Sequence, residues 1–182
     1  MSKVLVILAQ DCEELEAVTI IDILRRANVD VVTAGLDSKP VKASRGVQLI
    51  PDTTLDNALK QQFTMVVLPG GLPGADNLGN DPRVVAFLKQ MAADGQWLAA
   101  VCAAPRVLAR AALLDGKRAT AYPGFIDTGE FPGIEYTGGA VEKDGRTVTS
   151  RGPGTAMDFA LTLVECLTDI GTRNTVEERL VR

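Results

Sequence analysis

The chain has 182 residues, 46% of them hydrophobic and 23% charged, an ordinary globular composition with enough length to bury the core of one domain. Its net charge of -4, with lysines and arginines scattered, offers no basic footprint for nucleic acid, and no apolar run approaches the roughly 20 residues that a membrane span needs. There is no histidine, which excludes Ser-His and Cys-His catalytic pairs and most zinc or non-haem iron sites and leaves cysteine, carboxylates, hydroxyls, arginine and backbone groups for any chemistry.

In chain order, KVLVIL (3–8) reads as a strand, and Ile20, Ile23, Leu24 and Ala27 fall at helical spacing. VDVVTAGL (29–36), TMVVLPGG (64–71), WLAAVC (97–102) and TVTS (147–150) are further strands. Several are apolar on both faces, as buried parallel strands are when helices cover both sides of a sheet. Asp81 followed by Pro82 before RVVAFLKQMA is a cap plus a first-turn proline and predicts a helix. Ala104, Val107, Leu108 and Ala111 predict another, and Ala156, Ala160, Leu163, Val164 and Leu167 one more. Residues 117–150 read as turn-rich, with short strands, loops and a hairpin turn at Asp144 and Gly145. The repeated βαβ order predicts one domain over 1–182, a doubly wound α/β sandwich with a largely parallel sheet. MSKVLVILAQ lacks the small-residue cleavage site of a secretory signal. Cys12, Cys102 and Cys166 are odd in number and have no CxxC spacing. The expectation is a cytoplasmic protein with free thiols.

Ligands collect at the carboxyl ends of the strands in such sheets. Cys102 stands at one of those ends, and Pro105 suits the first turn of the helix that follows, which makes a strand, nucleophile, helix elbow flanked by Ala100 and Ala104. A thiol at a helix N-terminus is expected to have its pKa lowered from a free value of about 8.5. Without that context, a cysteine among alanines reads as a small buried hydrophobe. Gly70 and Gly71 allow close backbone approach, and the N–H groups of Gly71 and Ala103 are candidate oxyanion donors; a glycine turn that only leaves the strand explains LPGG as well. Glu13, Glu14 and Glu16 open the first helix, either as exposed first-turn acids or with one of them turned into the cleft. A buried carboxyl there would be protonated and donate a hydrogen bond to the thiolate, and spacing does not choose which. Cys166 lies in an apolar helical period and is expected in the core, Cys12 is expected to be a bystander near the cleft, and Trp97 is expected to pack at a strand start.

LVILAQDCEELEAVTIIDILRRANVDVVTAGL, ASRGV, VVLPGGLPGADNL, AAVCAAP and VEKDGRTVTSRGPGTAMDFAL together resemble the ThiJ/PfpI superfamily, in the branch of Parkinson disease protein seven, the Parkinsonism-associated protein deglycase. The resemblance runs over nearly the whole chain. It implies a flavodoxin-like sandwich in which Cys102 is a nucleophilic, oxidation-prone cysteine, Glu16 rather than Glu14 is its protonated partner, and Gly71 and Ala103 supply the oxyanion donors. It further implies a pocket of Gly70, Tyr122, Arg26, Arg45 and the Ser150–Gly154 loop with Gly152 and Pro153, and a homodimer packed partly through the first helix. The activity implied is that of a cofactor-free glyoxalase III or deglycase-type lyase or hydrolase, without metal or glutathione. Its substrates would be methylglyoxal, glyoxal or early glycation adducts, and its products 2-hydroxy acids. The other reading is a non-enzymatic oxidative-stress sensor or chaperone-like protein working through reversible or sulfinic oxidation of Cys102. Two departures stand out: Tyr122 occupies a position where many members have histidine, and Ala103 replaces the histidine that follows the cysteine in the protease-like branch, which excludes Cys-His peptidase or glutaminase activity. The C-terminal TRNTVEERLVR is short and charged, with no added apolar helix.

Overall fold

The computed structural model describes residues 2–182. Its elements begin β1 (Lys3–Leu8), α1 (Glu14–Arg26), β2 (Asp30–Gly35), β3 (Val41–Lys42), β4 (Gln48–Leu49), β5 (Thr53–Thr54) and α2 (Leu55–Ala58). They continue with β6 (Met65–Leu68), α3 (Gly74–Asn80), α4 (Pro82–Ala93), β7 (Trp97–Val101) and α5 (Pro105–Arg110). The chain closes with β8 (Arg118–Ala119), β9 (Glu135–Tyr136), β10 (Val141–Asp144), β11 (Thr147–Ser150), α6 (Ala156–Leu167) and α7 (Ile170–Arg179).

The long apolar runs become the middle of a seven-stranded sheet ordered β10-β11-β7-β6-β1-β2-β5, and every neighbouring pair except β10 with β11 is parallel. Side chains alternate across a strand, so β1 serves both faces. Val4, Val6 and Leu8 pack with Ala17, Ile20 and Leu24 of α1 and Phe159 and Leu163 of α6. Leu5 and Ile7 pack on the other side with Leu78 of α3, Val84 and Leu88 of α4 and Leu108 of α5. Coverage on both faces is why these strands carry no polar alternation. Among the described residues, no helix is long and apolar enough to cross a membrane.

Asp81 caps α4 as its sequence context suggests, accepting from the Arg83 N–H. Other boundaries move for local reasons. β6 stops at Leu68 because Pro69 has no N–H to donate, and β7 stops at Val101 because Cys102 turns to φ +62. The hairpin at 144–145 exists, but Asp144 is still paired with Thr147, so Gly145 and Arg146 make the turn and VEKD before it is strand rather than loop. α3 escapes periodicity because its seven residues, with two glycines and two asparagines, carry an apolar face of only Ala75 and Leu78. α7 is polar with only Val176 buried, and it is capped by Asp169 accepting from Thr172. TRNTVEERLVR is therefore largely helical despite its charge.

Candidate active site

The sheet delivers Cys102 to the turn between β7 and α5 in a left-handed backbone conformation that non-glycine residues seldom adopt. Two hydrogen bonds hold it there: the Cys102 N–H donates to the Ser150 carbonyl at 3.0 Å, and the Tyr122 N–H donates to the Cys102 carbonyl at 2.8 Å. The loop after β6 presses against it. A Cβ on Gly70 would stand 2.6 Å from the Cys102 Cβ, 2.8 Å from Glu16 Oε2 and 2.8 Å from the Val101 carbonyl oxygen. Gly71, at φ +89, would set a Cβ 2.4 Å from the Glu13 nitrogen. Both glycines are thus required by close approach, which goes beyond leaving a strand.

Glu16 is wholly buried beside this turn. Its Oε2 accepts the Gly70 N–H at 2.8 Å, and its Oε1 is buried without a hydrogen-bond partner. Burial raises the Glu16 carboxyl to about 7, against the Gly70 N–H and the Cys102 thiol, which both favour the carboxylate. The Cys102 thiol is pushed up to about 12 by burial and by the negative charge of Glu16, while the N–H groups of Gly71 and Ala103 pull it down. This corrects the expectation of a lowered thiol pKa. α5 has only six residues, so its dipole is weak, and a buried neighbouring carboxylate outweighs it. One negative charge is accommodated on the pair far more readily than two, so the two groups titrate together, and protonating Glu16 removes the repulsion that disfavours the thiolate.

The raised Glu16 pKa has a stability consequence. Its folded-state value lies above its unfolded one, so its contribution is fully present below about pH 4.5 and is lost as pH rises through about 7, a difference of about 3 kcal/mol. Glu16→Gln, which stays neutral, should gain about that much stability relative to the native protein between about pH 4.5 and 8, read from urea midpoints at both ends. A difference that does not change with pH would show that folding does not raise the Glu16 pKa.

Glu14 is not an exposed first-turn acid. It is buried, with Oε1 accepting the Arg45 N–H at 2.8 Å and Oε2 accepting the Ser44 hydroxyl at 3.1 Å, so it straps the 43–47 turn onto α1. Burial works against its charge, but its own backbone N–H, that of Arg45 and the Ser44 hydroxyl hold the carboxyl below the usual range. Glu13 is half-buried and also accepts from Ser44, at 3.0 Å. Arg45 is anchored by its backbone while its side chain is exposed. Arg26 is not brought to the cysteine of its own chain: it closes α1, ten residues and about 15 Å of helix beyond Glu16, and pairs with Asp22 at 2.6 Å.

Ser150 is buried, and its hydroxyl is spent on the Ala140 carbonyl and on Thr155, so its part in the site is the carbonyl that holds Cys102. Gly152 is buried under the Tyr122 ring, with Pro153 half-buried beside it. Cys12 is fully buried in the β1–α1 loop, where burial pushes its thiol up to about 12. Cys166 is only half-buried rather than core, in the last turn of α6 with Lys143 beside it. Trp97 does begin β7, with Lys143 and Arg146 each 5.6 Å from its ring centroid. Sequence reasoning missed Arg106, Asp76 and Phe125 next to this site. The one available signal was the basic residue immediately after Pro105.

A largely parallel flavodoxin-like sandwich with a cysteine at a strained strand-to-helix turn and a buried glutamate against it defines a cysteine-centred class of α/β proteins. The sequence model of the DJ-1/PfpI family matches residues 2–166, and the chain belongs to that family. It is 44% identical to the Parkinson disease protein 7 homolog of Danio rerio over 90% of this chain and 88% of that one. It is 33% identical to a Caenorhabditis elegans protein named glutathione-independent glyoxalase DJR-1.2, over 91% of this chain and 88% of that one. The crystal structure of Drosophila melanogaster DJ-1beta superimposes with a TM-score of 0.94 at 41% identity, covering 100% of this chain and 98% of the other.

Proposed function

We propose that this protein is a cofactor-independent glyoxalase or deglycase that converts methylglyoxal, glyoxal or their early glycation adducts to 2-hydroxy acids. The observation that carries the reading is the buried Glu16 carboxyl against Cys102, with Oε1 unpartnered and the N–H groups of Gly71 and Ala103 beside the sulfur. With methylglyoxal, the Cys102 thiolate forms a C–S bond to the aldehyde carbon, and the carbonyl π pair moves onto oxygen, where the two N–H groups stabilise it. Glu16 protonates that oxygen to give the hemithioacetal, then takes the proton from the same carbon, whose C–H pair forms an enediolate, and returns it to the former ketone carbon while the hydroxyl proton passes from the first oxygen to the second, which leaves a lactyl thioester. Water cleaves the thioester to lactate and restores the thiol. A carboxyl near 7 suits both halves of this proton transfer at neutral pH.

The homodimer is part of the same proposal. Leu15 and Val18 on α1 are 52% and 48% exposed, and they continue to Val47 and Ile50 at 48% and 85%, an apolar face along α1 and the turn beside it. A dimer packed through that face would bury Arg26 with it. The second reading, an oxidation sensor, draws on the same unpartnered Glu16 oxygen, which would bond an oxygen added to the sulfur. Incubating the purified protein with methylglyoxal and assaying lactate separates the two. Catalytic lactate formation is expected, from a species whose light-scattering mass is twice that of one chain. Stoichiometric adduct without lactate would sink the enzymatic reading.

A further inference from the structure

A stack of side chains flanks Cys102 that the reaction above does not use. Tyr122 is tied by its N–H to the Cys102 carbonyl, and its ring lies over Gly152, where a Cβ would stand 3.3 Å from it. Tyr122 is 47% exposed, so the residue is accessible to a ligand. Phe125 of the same loop meets it edge-on, with centroids 5.9 Å apart at 82°, and donates its N–H to the Tyr122 carbonyl at 3.0 Å. Arg106, one helical turn beyond Cys102, lays its guanidinium over the Phe125 ring at 5.0 Å. Asp76 of α3 pairs with that guanidinium, so Arg106 is already neutralised and is a poor anchor for an anionic substrate.

We infer that this stack is a specificity wall. Arg106, anchored by Asp76, is a positioning residue that holds Phe125 and through it the Tyr122 ring beside the cysteine, so the cleft favours 2-oxoaldehydes carrying a planar apolar substituent over glyoxal. A fixed ring gives such a substituent an offset or edge-on partner at little cost in side-chain entropy, whereas glyoxal has no group to meet it. The inference rests on Cys102 being the reacting group, as proposed above.

The test compares alkylation of Cys102 by phenacyl bromide and by iodoacetamide, read at the Cys102 peptide by mass spectrometry and referred to free glutathione. In both reagents the sulfur displaces a halide, so thiolate fraction and nucleophilicity cancel in the ratio. The native protein should prefer the phenacyl reagent over glutathione's own preference by a few-fold to about tenfold. Phe125→Leu and Arg106→Ala should lose that excess, and Arg106→Lys should retain part of it. Asp76→Asn provides a second route to loosen the stack if Arg106→Ala fails to fold. With phenylglyoxal, the same variants should raise KM more than they lower kcat. A native ratio equal to that of glutathione, a ratio unmoved by Phe125→Leu, or a Cys102 inert to both reagents would overturn the inference. Aryl preference in alkylation without turnover of any dicarbonyl would instead overturn the enzymatic reading and leave the wall standing.

Discussion

Cys102→Ser is expected to abolish lactate formation from methylglyoxal, with kcat/KM falling by roughly 10^4-fold or more, as removal of a covalent nucleophile does elsewhere. Serine is nearly isosteric, so the turn held by Ser150 and Tyr122 should persist and the melting temperature should change little. The hydroxyl fails because no group beside it can take its proton. Glu16 at about 7 can balance a thiol with help from Gly71 and Ala103, but not an alcohol whose pKa lies far higher. Cys166→Ser is the control, since that thiol is half-buried at the far end of α6, and it should leave turnover intact. A Cys102→Ser protein that keeps a tenth of native activity would remove sulfur from the mechanism.

Gly70→Ala should be nearly as damaging by a different route. The new methyl group would meet the Cys102 Cβ, Glu16 Oε2 and the Val101 carbonyl, all inside 3.0 Å, and two of these belong to the proposed catalytic pair while the third is backbone. Relief requires moving either the sulfur or the carboxyl, so activity should be lost, with a stability cost of about 1–3 kcal/mol from overpacking. Gly154→Ala supplies the comparison. It lies in the neighbouring loop with nothing within 4 Å of its added Cβ, so it should fold and turn over as the native protein does. Native-like kinetics in Gly70→Ala would mean that the loop after β6 can withdraw from Cys102, contrary to the packing.

The architecture and the location of Cys102 are legible in the sequence, because the signals are local. Runs such as KVLVIL and WLAAVC are long enough to demand burial on both faces, and Pro105 marks where a helix begins whatever surrounds it. Membership of the DJ-1/PfpI family was legible for a related reason, since its motifs are contiguous stretches at strand ends. The roles of the acids, by contrast, depend on contacts between distant parts of the chain. Glu14 and Glu16 are two residues apart, about 200° around a helix, so one faces the 43–47 turn and the other the loop after β6. Neither neighbour is near in sequence, and which carboxyl is ionised follows from those neighbours. The direction of the Cys102 pKa was decided in the same way. A helix N-terminus can be read from Pro105, whereas burial and the charge of Glu16, 86 positions upstream in the chain, exist only once β1, β6 and β7 lie side by side. Desolvation and close charge outweigh a six-residue dipole, and both depend on distances that no local pattern encodes.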